Sequence, residues 1–163
     1  GTDYLIKNGH TKIGCIVGPV TSSSTLNRLE GFKIALSDNN LEFISDNVAY
    51  GDYQFEGGYK ACLELLKKDI TAIIAFNDLM AYGAYKAIYD SGLNVPDDIS
   101  VIGYDDLMFS QMLSVPLTSI AQNTQELSLI VSNLVLDAIK GIETKSHVSV
   151  LPNLIIRNSV KKI

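Results

Sequence analysis

The chain has 163 residues, 47% of them apolar and 19% charged, and a formal net charge of −5. That is enough chain for one domain with a stable core, and too apolar for a disordered segment. It lacks the roughly 20-residue apolar run of a membrane-spanning helix. Its longest basic clusters are the pairs Lys67-Lys68 and Lys161-Lys162, which excludes a surface built to neutralise nucleic-acid phosphates.

Gly1-Thr2-Asp3-Tyr4 has neither the basic region nor the apolar stretch of a secretory signal, and the abrupt start predicts further chain upstream. A short helix is expected over Thr2 to Asn8, closed by Gly9. Ile13 to Val17 reads as a buried strand ended by Gly18-Pro19, and the polar run Thr21 to Thr25 supplies caps for a helix with Leu26, Leu29, Phe32 and Leu36 on one face. Val48 to Tyr50 is a weaker strand. The next helix is expected to turn Phe55, Tyr59, Cys62, Leu63 and Leu66 inward.

Ala72 to Phe76 is the third strand, followed by a helix from Asp78 to Ser91 that stops at Gly92. Ile99 to Tyr104 and Leu117 to Ala121 are the fourth and fifth strands. Alternation of strand and helix at this spacing predicts an α/β fold, a doubly wound parallel sheet covered on both faces. Gln125 to Lys140 reads as a long helix, apolar almost all round, which needs burial on more than one side. Cys15 and Cys62 lie on apolar faces without metal or redox spacing and read as buried free thiols, which favours a reducing compartment.

At one strand end after another the apolar run stops at a polar group. Phe76 runs into Asn77-Asp78, Tyr104 into Asp105-Asp106, Tyr50 into Gly51-Asp52-Tyr53, and Ala121 into Gln122. Ligands of open parallel sheets bind outside the carboxyl ends of the strands, so these junctions predict one small-molecule site. Asn77, Asp78, Asp105 and Asp106 also stand where helix caps would, and capping is the first reading for Asp78 and Asp106. In the helix after Asn77, the stripe Met80, Ala84, Ala87 and Ile88 faces the sheet. Tyr82, Tyr85 and Tyr89 form a second stripe, expected with Met112 and Leu113 to pack against another copy of the chain. His10 reads as a structural residue between helix and strand, and His147 as an exposed turn residue.

Several stretches resemble the effector-binding core of LacI/GalR (lactose/galactose repressor) family transcription regulators. They are Tyr4-Leu5-Ile6 with Gly9-His10, Arg28-Leu29-Glu30-Gly31-Phe32, Gly51-Asp52-Tyr53 with Gly58-Tyr59, and Asn77-Asp78-Leu79-Met80-Ala81. Val95 through Asp106 carries the strongest likeness, and Pro116 to Ile120 with Gln122, Leu151-Pro152 and Arg157-Asn158-Ser159 close it. The resemblance implies a periplasmic-binding-protein-like type I fold with a flavodoxin-like C-terminal lobe and most of the N-terminal lobe absent. It implies the last helix of the N-terminal lobe in 1–12, the C-terminal effector-binding lobe in 13–121, and a crossover strand, helix and tail returning to the N-terminal lobe in 122–163.

It further implies an effector, a sugar, held by Arg28, Tyr53, Asn77, Asp105 and Gln122 and, on a looser alignment, by Ser22, with Ser23 and Ser24 as further loop candidates of the same looser kind. The implied partners are a second copy and operator DNA reached through a helix-turn-helix domain outside this chain, in a cytoplasmic repressor of a carbohydrate-utilisation operon. No cofactor, metal or catalytic residue is expected: no nucleophile elbow or phosphate-cradling loop occurs, and neither His has a catalytic partner. The alternative is a periplasmic or lipoprotein sugar-binding receptor of a transport system.

Overall fold

A computed structural model describes residues 1–142 and 148–163; His147 lies outside the described residues. Ile13–Val17 (β1), Ala72–Ala75 (β3) and Ser100–Tyr104 (β4) are almost wholly buried, as unbroken apolar runs must be when helices cover both faces of a sheet. With Val48–Tyr50 (β2) and Thr118–Ala121 (β5) they form a parallel sheet in the order β2-β1-β3-β4-β5, the flavodoxin-like arrangement. Its register sets Ile16 beside Ala49 and Ala75, and Tyr104 beside Ile120, so the carboxyl ends of all five strands share one edge.

The helices are Thr2–Lys7 (α1), Ser23–Asp38 (α2), Phe55–Leu65 (α3), Asp78–Asp90 (α4) and Thr124–Ile139 (α5). Gly9, at φ 97°, closes α1 where a side chain would strike the Ile163 carbonyl. The helix α4 buries Met80, Ala84, Ala87 and Ile88 as its spacing requires. The stripe expected on α3 is displaced: Gly58, Ala61, Cys62 and Leu65 are buried, and Phe55 is exposed. The reason is a backbone contact. Gly58 lies against the Met80 backbone and Gly83 against the Phe55 carbonyl, so α3 turns its glycine toward α4 instead of its aromatic residue. On α2, Phe32 and Leu36 are buried but Leu26 is exposed.

Residues 1–12 carry α1, which packs onto the rest of the described fold. Leu5 is fully buried in its core and α1 packs against α2. His10 is buried as a structural tie, its ring bonded to Thr71 Oγ1 (2.9 Å) and the Lys161 carbonyl (3.1 Å). Burial lowers its pKa from the ordinary 6.5.

The tail also differs from expectation. Asn153–Ile155 forms a strand (β6) antiparallel to β5, unmarked in the sequence reading. Beyond it Ser159 is buried between β4 and β5. It takes the Val101 amide on its carbonyl (2.8 Å) and the Thr118 amide on its hydroxyl oxygen (2.7 Å). The helix α5 forms over the expected span, yet none of its residues is buried. Cys15 and Cys62 are free and buried, and burial pushes the Cys62 thiol up to about 12. Among the described residues, no helix is long and apolar enough to cross a membrane.

Candidate functional site

The sequence-predicted residues meet at the carboxyl edge in two neighbouring clusters, with Arg28 beside them. After β2 the chain turns sharply: Tyr53 adopts φ 66°, a conformation rare outside glycine. The Asn77 side-chain amide holds that turn by donating to the Tyr53 carbonyl (2.9 Å), while its Oδ1 caps α4 by accepting the Met80 amide (2.9 Å). Asn77 thus takes both roles open to it. The Tyr53 ring lies over Gly18, where any side chain would overlap it, and its hydroxyl meets Thr25 Oγ1 (2.6 Å) and Ser22 Oγ (3.4 Å). Ser22 stands at the N-cap of α2 but makes no side-chain capping bond.

After β4 the second cluster begins. Asp105 and Asp106 both take positive φ, 104° and 51°. The Gln122 amide donates to Asp105 Oδ1 (2.9 Å), joining the ends of β4 and β5. Asp106 does not cap a helix; it pairs with the half-buried Arg157 (2.6 Å), whose guanidinium also donates to the Leu117 carbonyl (2.7 Å). Arg28 reaches from α2 across the strand ends, donating to the Phe76 carbonyl with its guanidinium 3.6 Å from the centroid of the Tyr104 ring. Beneath it a hollow of ≈ 300 Å³ is lined by Arg28, Phe76, Tyr104 and Ile120 together with α1 residues. Tyr53, Asn77, Asp105 and Gln122 do not line that hollow; they follow the carboxyl ends of β2, β3, β4 and β5.

Sequence reasoning missed Thr25, assigned only to capping, and Tyr104, whose ring supports Arg28. It also misread Asp78. With the cap taken by Asn77, the buried Asp78 carboxylate accepts the Leu107 amide and the hydroxyls of Ser110 and Ser119. Burial raises its pKa from 3.8, with these hydrogen bonds opposing the shift and Asp105 adding to it.

The tyrosine stripe of α4 borders a separate groove of ≈ 420 Å³ lined by Phe55, Tyr82, Tyr85, Tyr89, Leu93 and Leu113, among others. Two of its hydroxyls are satisfied within the chain: Tyr82 meets Ser110 Oγ (2.7 Å) and Tyr85 donates to the Val115 carbonyl (3.1 Å). Tyr89 and Met112 remain 75% and 67% exposed, so apolar area persists where the hydroxyls are tied. Among the described residues, no group of His, Cys, Asp and Glu is arranged to hold a metal ion. The carboxyl edge carries a guanidinium, amides, a carboxylate, hydroxyls and aromatic rings, groups of the kinds that hydrogen-bond to and stack on polar ring compounds.

Residues 2–160 match the model of the periplasmic binding protein-like domain family. The HTH-type transcriptional repressor PurR of Histophilus somni (strain 129Pt) is 40% identical over 166 residues, covering 99% of this chain and 50% of that protein. The chain spans about half the length of the curated relatives it matches. Among solved structures, a dimeric Lac repressor with an 11-residue C-terminal deletion superposes with a TM-score of 0.92 at 33% identity, over 99% of this chain and 59% of that one. The transcriptional regulator CelR in complex with cellobiose superposes with a TM-score of 0.88 at 34% identity, over 97% and 49%. With the flavodoxin-like strand order and the rim already in place, these likenesses settle the family: the chain belongs to the periplasmic binding protein-like domain family, with the effector-domain fold of the LacI/GalR regulators.

Proposed function

We propose that this chain is the ligand-sensing lobe of a transcriptional repressor, and that a sugar bound at its rim biases operator binding by a domain outside it. The observation that carries the reading is the placement of Ser22, Arg28, Tyr53, Asn77, Asp105 and Gln122 along one carboxyl edge, from the β1–β3 switch point to the ends of β4 and β5. A second lobe closes over the ligand, and the unburied α5 packs with that lobe. Repressor names among the relatives support regulation over the transport-receptor alternative, and the CelR–cellobiose complex supports a sugar. The same reading makes the protein cytoplasmic and not an enzyme.

Calorimetry of the intact protein against a panel of mono- and disaccharides, with purine bases as the competing ring class, tests the site. Arg28→Ala and Asp105→Ala are each expected to weaken binding about tenfold or more, the worth of a hydrogen bond to a charged group. Tight binding untouched by both changes would move the site elsewhere, and binding of a base in place of any sugar would retire the sugar.

The second proposed partner is another copy of the chain, seated on the Tyr82, Tyr85, Tyr89, Met112 and Leu113 face. A dimeric structural neighbour and the exposed apolar area of Tyr89 and Met112 support it. In sedimentation of the intact protein, Tyr89→Asp with Met112→Asp is expected to shift dimer to monomer at micromolar concentration. An unchanged dimer would place the interface on another surface.

A further inference from the structure

Asp78 opens α4, is fully buried, and its carboxylate ties α4 to two other segments. Its Oδ2 accepts the Leu107 amide (2.7 Å) and the Ser110 hydroxyl (2.5 Å), and its Oδ1 accepts the Ser119 hydroxyl on β5 (2.6 Å). Both hydroxyl oxygens extend the chain of bonds. Ser119 Oγ accepts the Asp106 amide (3.1 Å), and Ser110 Oγ lies 2.7 Å from the Tyr82 hydroxyl. Because the Ser110 proton points to the carboxylate, Tyr82 must be the donor in that pair.

One end of this chain is the Asp105–Asp106 turn, where two successive non-glycine residues take positive φ. Such backbone costs of order 1–3 kcal/mol per residue and persists only where its neighbours over-determine it. Here the neighbours are the Ile120 carbonyl on the Asp105 amide (2.9 Å), Ser119 on the Asp106 amide, and Arg157 on the Asp106 carboxylate. Gly103 leaves the space: a side chain there would collide with Asp78 Oδ1. The other end is the Tyr82 face, joined through the Leu107–Met112 segment that the carboxylate anchors at two points.

We propose that Asp78 is a positioning residue that couples the Asp105 turn on the ligand rim to the Tyr82–Met112 face. A rearrangement at either end changes the hydrogen bonding of this one carboxylate and is felt at the other. The meaning of the two ends, ligand site and subunit contact, rests on the function proposed above; the link itself does not.

The test is therefore made without ligand, by site-resolved amide hydrogen exchange on the intact protein. Tyr82→Phe removes only the hydroxyl on Ser110, and Tyr85→Phe, whose hydroxyl serves the Val115 carbonyl on the same face, is the control. Tyr82→Phe is expected to speed exchange at the Asp106 and Leu107 amides about tenfold while the β1 amides keep their rates; Tyr85→Phe leaves Asp106 and Leu107 unchanged. Ser110→Ala should reproduce the Tyr82→Phe pattern. Equal effects of the two tyrosine changes, or uniform acceleration of all amides, would reduce Asp78 to a structural tie. A failure of sugar binding in calorimetry would leave this result standing, so the two readings fail separately.

Discussion

Gly83→Ala is expected to lower the unfolding free energy by about 3 kcal/mol or more, a fall in melting temperature of roughly 6–12 °C for a chain of this size. A methyl group at Gly83 would overlap the Phe55 carbonyl oxygen and stand 2.6 Å from the Tyr59 amide nitrogen. Both obstacles are helix backbone, so neither can swing aside as a side chain would. The helices α3 and α4 would have to separate, opening space over Ala61, Cys62 and Ala84 in the core. Gly58→Ala meets the same limit from the other helix, 2.7 Å from the Met80 carbonyl carbon. Gly31→Ala supplies the contrast. It lies within α2 with nothing within 4 Å of the added atom, and should stabilise by roughly 0.5–1 kcal/mol through the helix preference of Ala over Gly. Urea titration of the three variants checks the ranking; similar midpoints for all would mean the helix contact is looser than its geometry.

That contact also marks where sequence reading stops. The parallel strands were legible because burial on both faces writes continuous apolar runs such as Ile13–Val17 and Ala72–Ala75. Periodicity on α3 put Phe55 inside because it ranks side chains by apolarity, and it cannot register a backbone approach that favours glycine. The strand β6 escaped for the opposite reason: Asn153–Ile155 is short, sits at a sheet edge and is never fully buried, so it leaves no pattern distinct from a tail. Likewise α1 is too short for its own spacing to tell what buries Leu5.

At the rim, the polar residues that directly follow strands could be named, since the end of an apolar run flags them. What could not be read were pairings between distant segments, Arg28 over Tyr104 and Thr25 on Tyr53, which depend on how α2 lies across the sheet. Adjacent Asn77 and Asp78 show the same gap at a finer scale. Both fit a capping position, and only the fold decides that Asn77 caps while Asp78 points inward.

Asp78→Ala should then be among the most damaging single changes in the chain, costing about 3–5 kcal/mol. It leaves the Leu107 amide and the Ser110 and Ser119 hydroxyls without their acceptor, in a fold where no buried side-chain N or O atom among the described residues lacks a partner. Asp78→Asn keeps the shape and one acceptor oxygen, and is expected to cost less. The two also differ with pH. A carboxyl whose folded pKa lies above its unfolded value of 3.8 contributes stability that is fully present below 3.8 and is lost as pH rises through the folded value. His10 has the opposite slope. Its folded pKa lies below 6.5, so its contribution is present above 6.5 and is lost as pH falls toward the folded value. Urea titrations from pH 4 to 8 should therefore show Asp78→Asn losing the first dependence and keeping the second. A variant profile parallel to the parent's would mean that the Asp78 carboxyl titrates alike in both states, and that burial does not govern its charge.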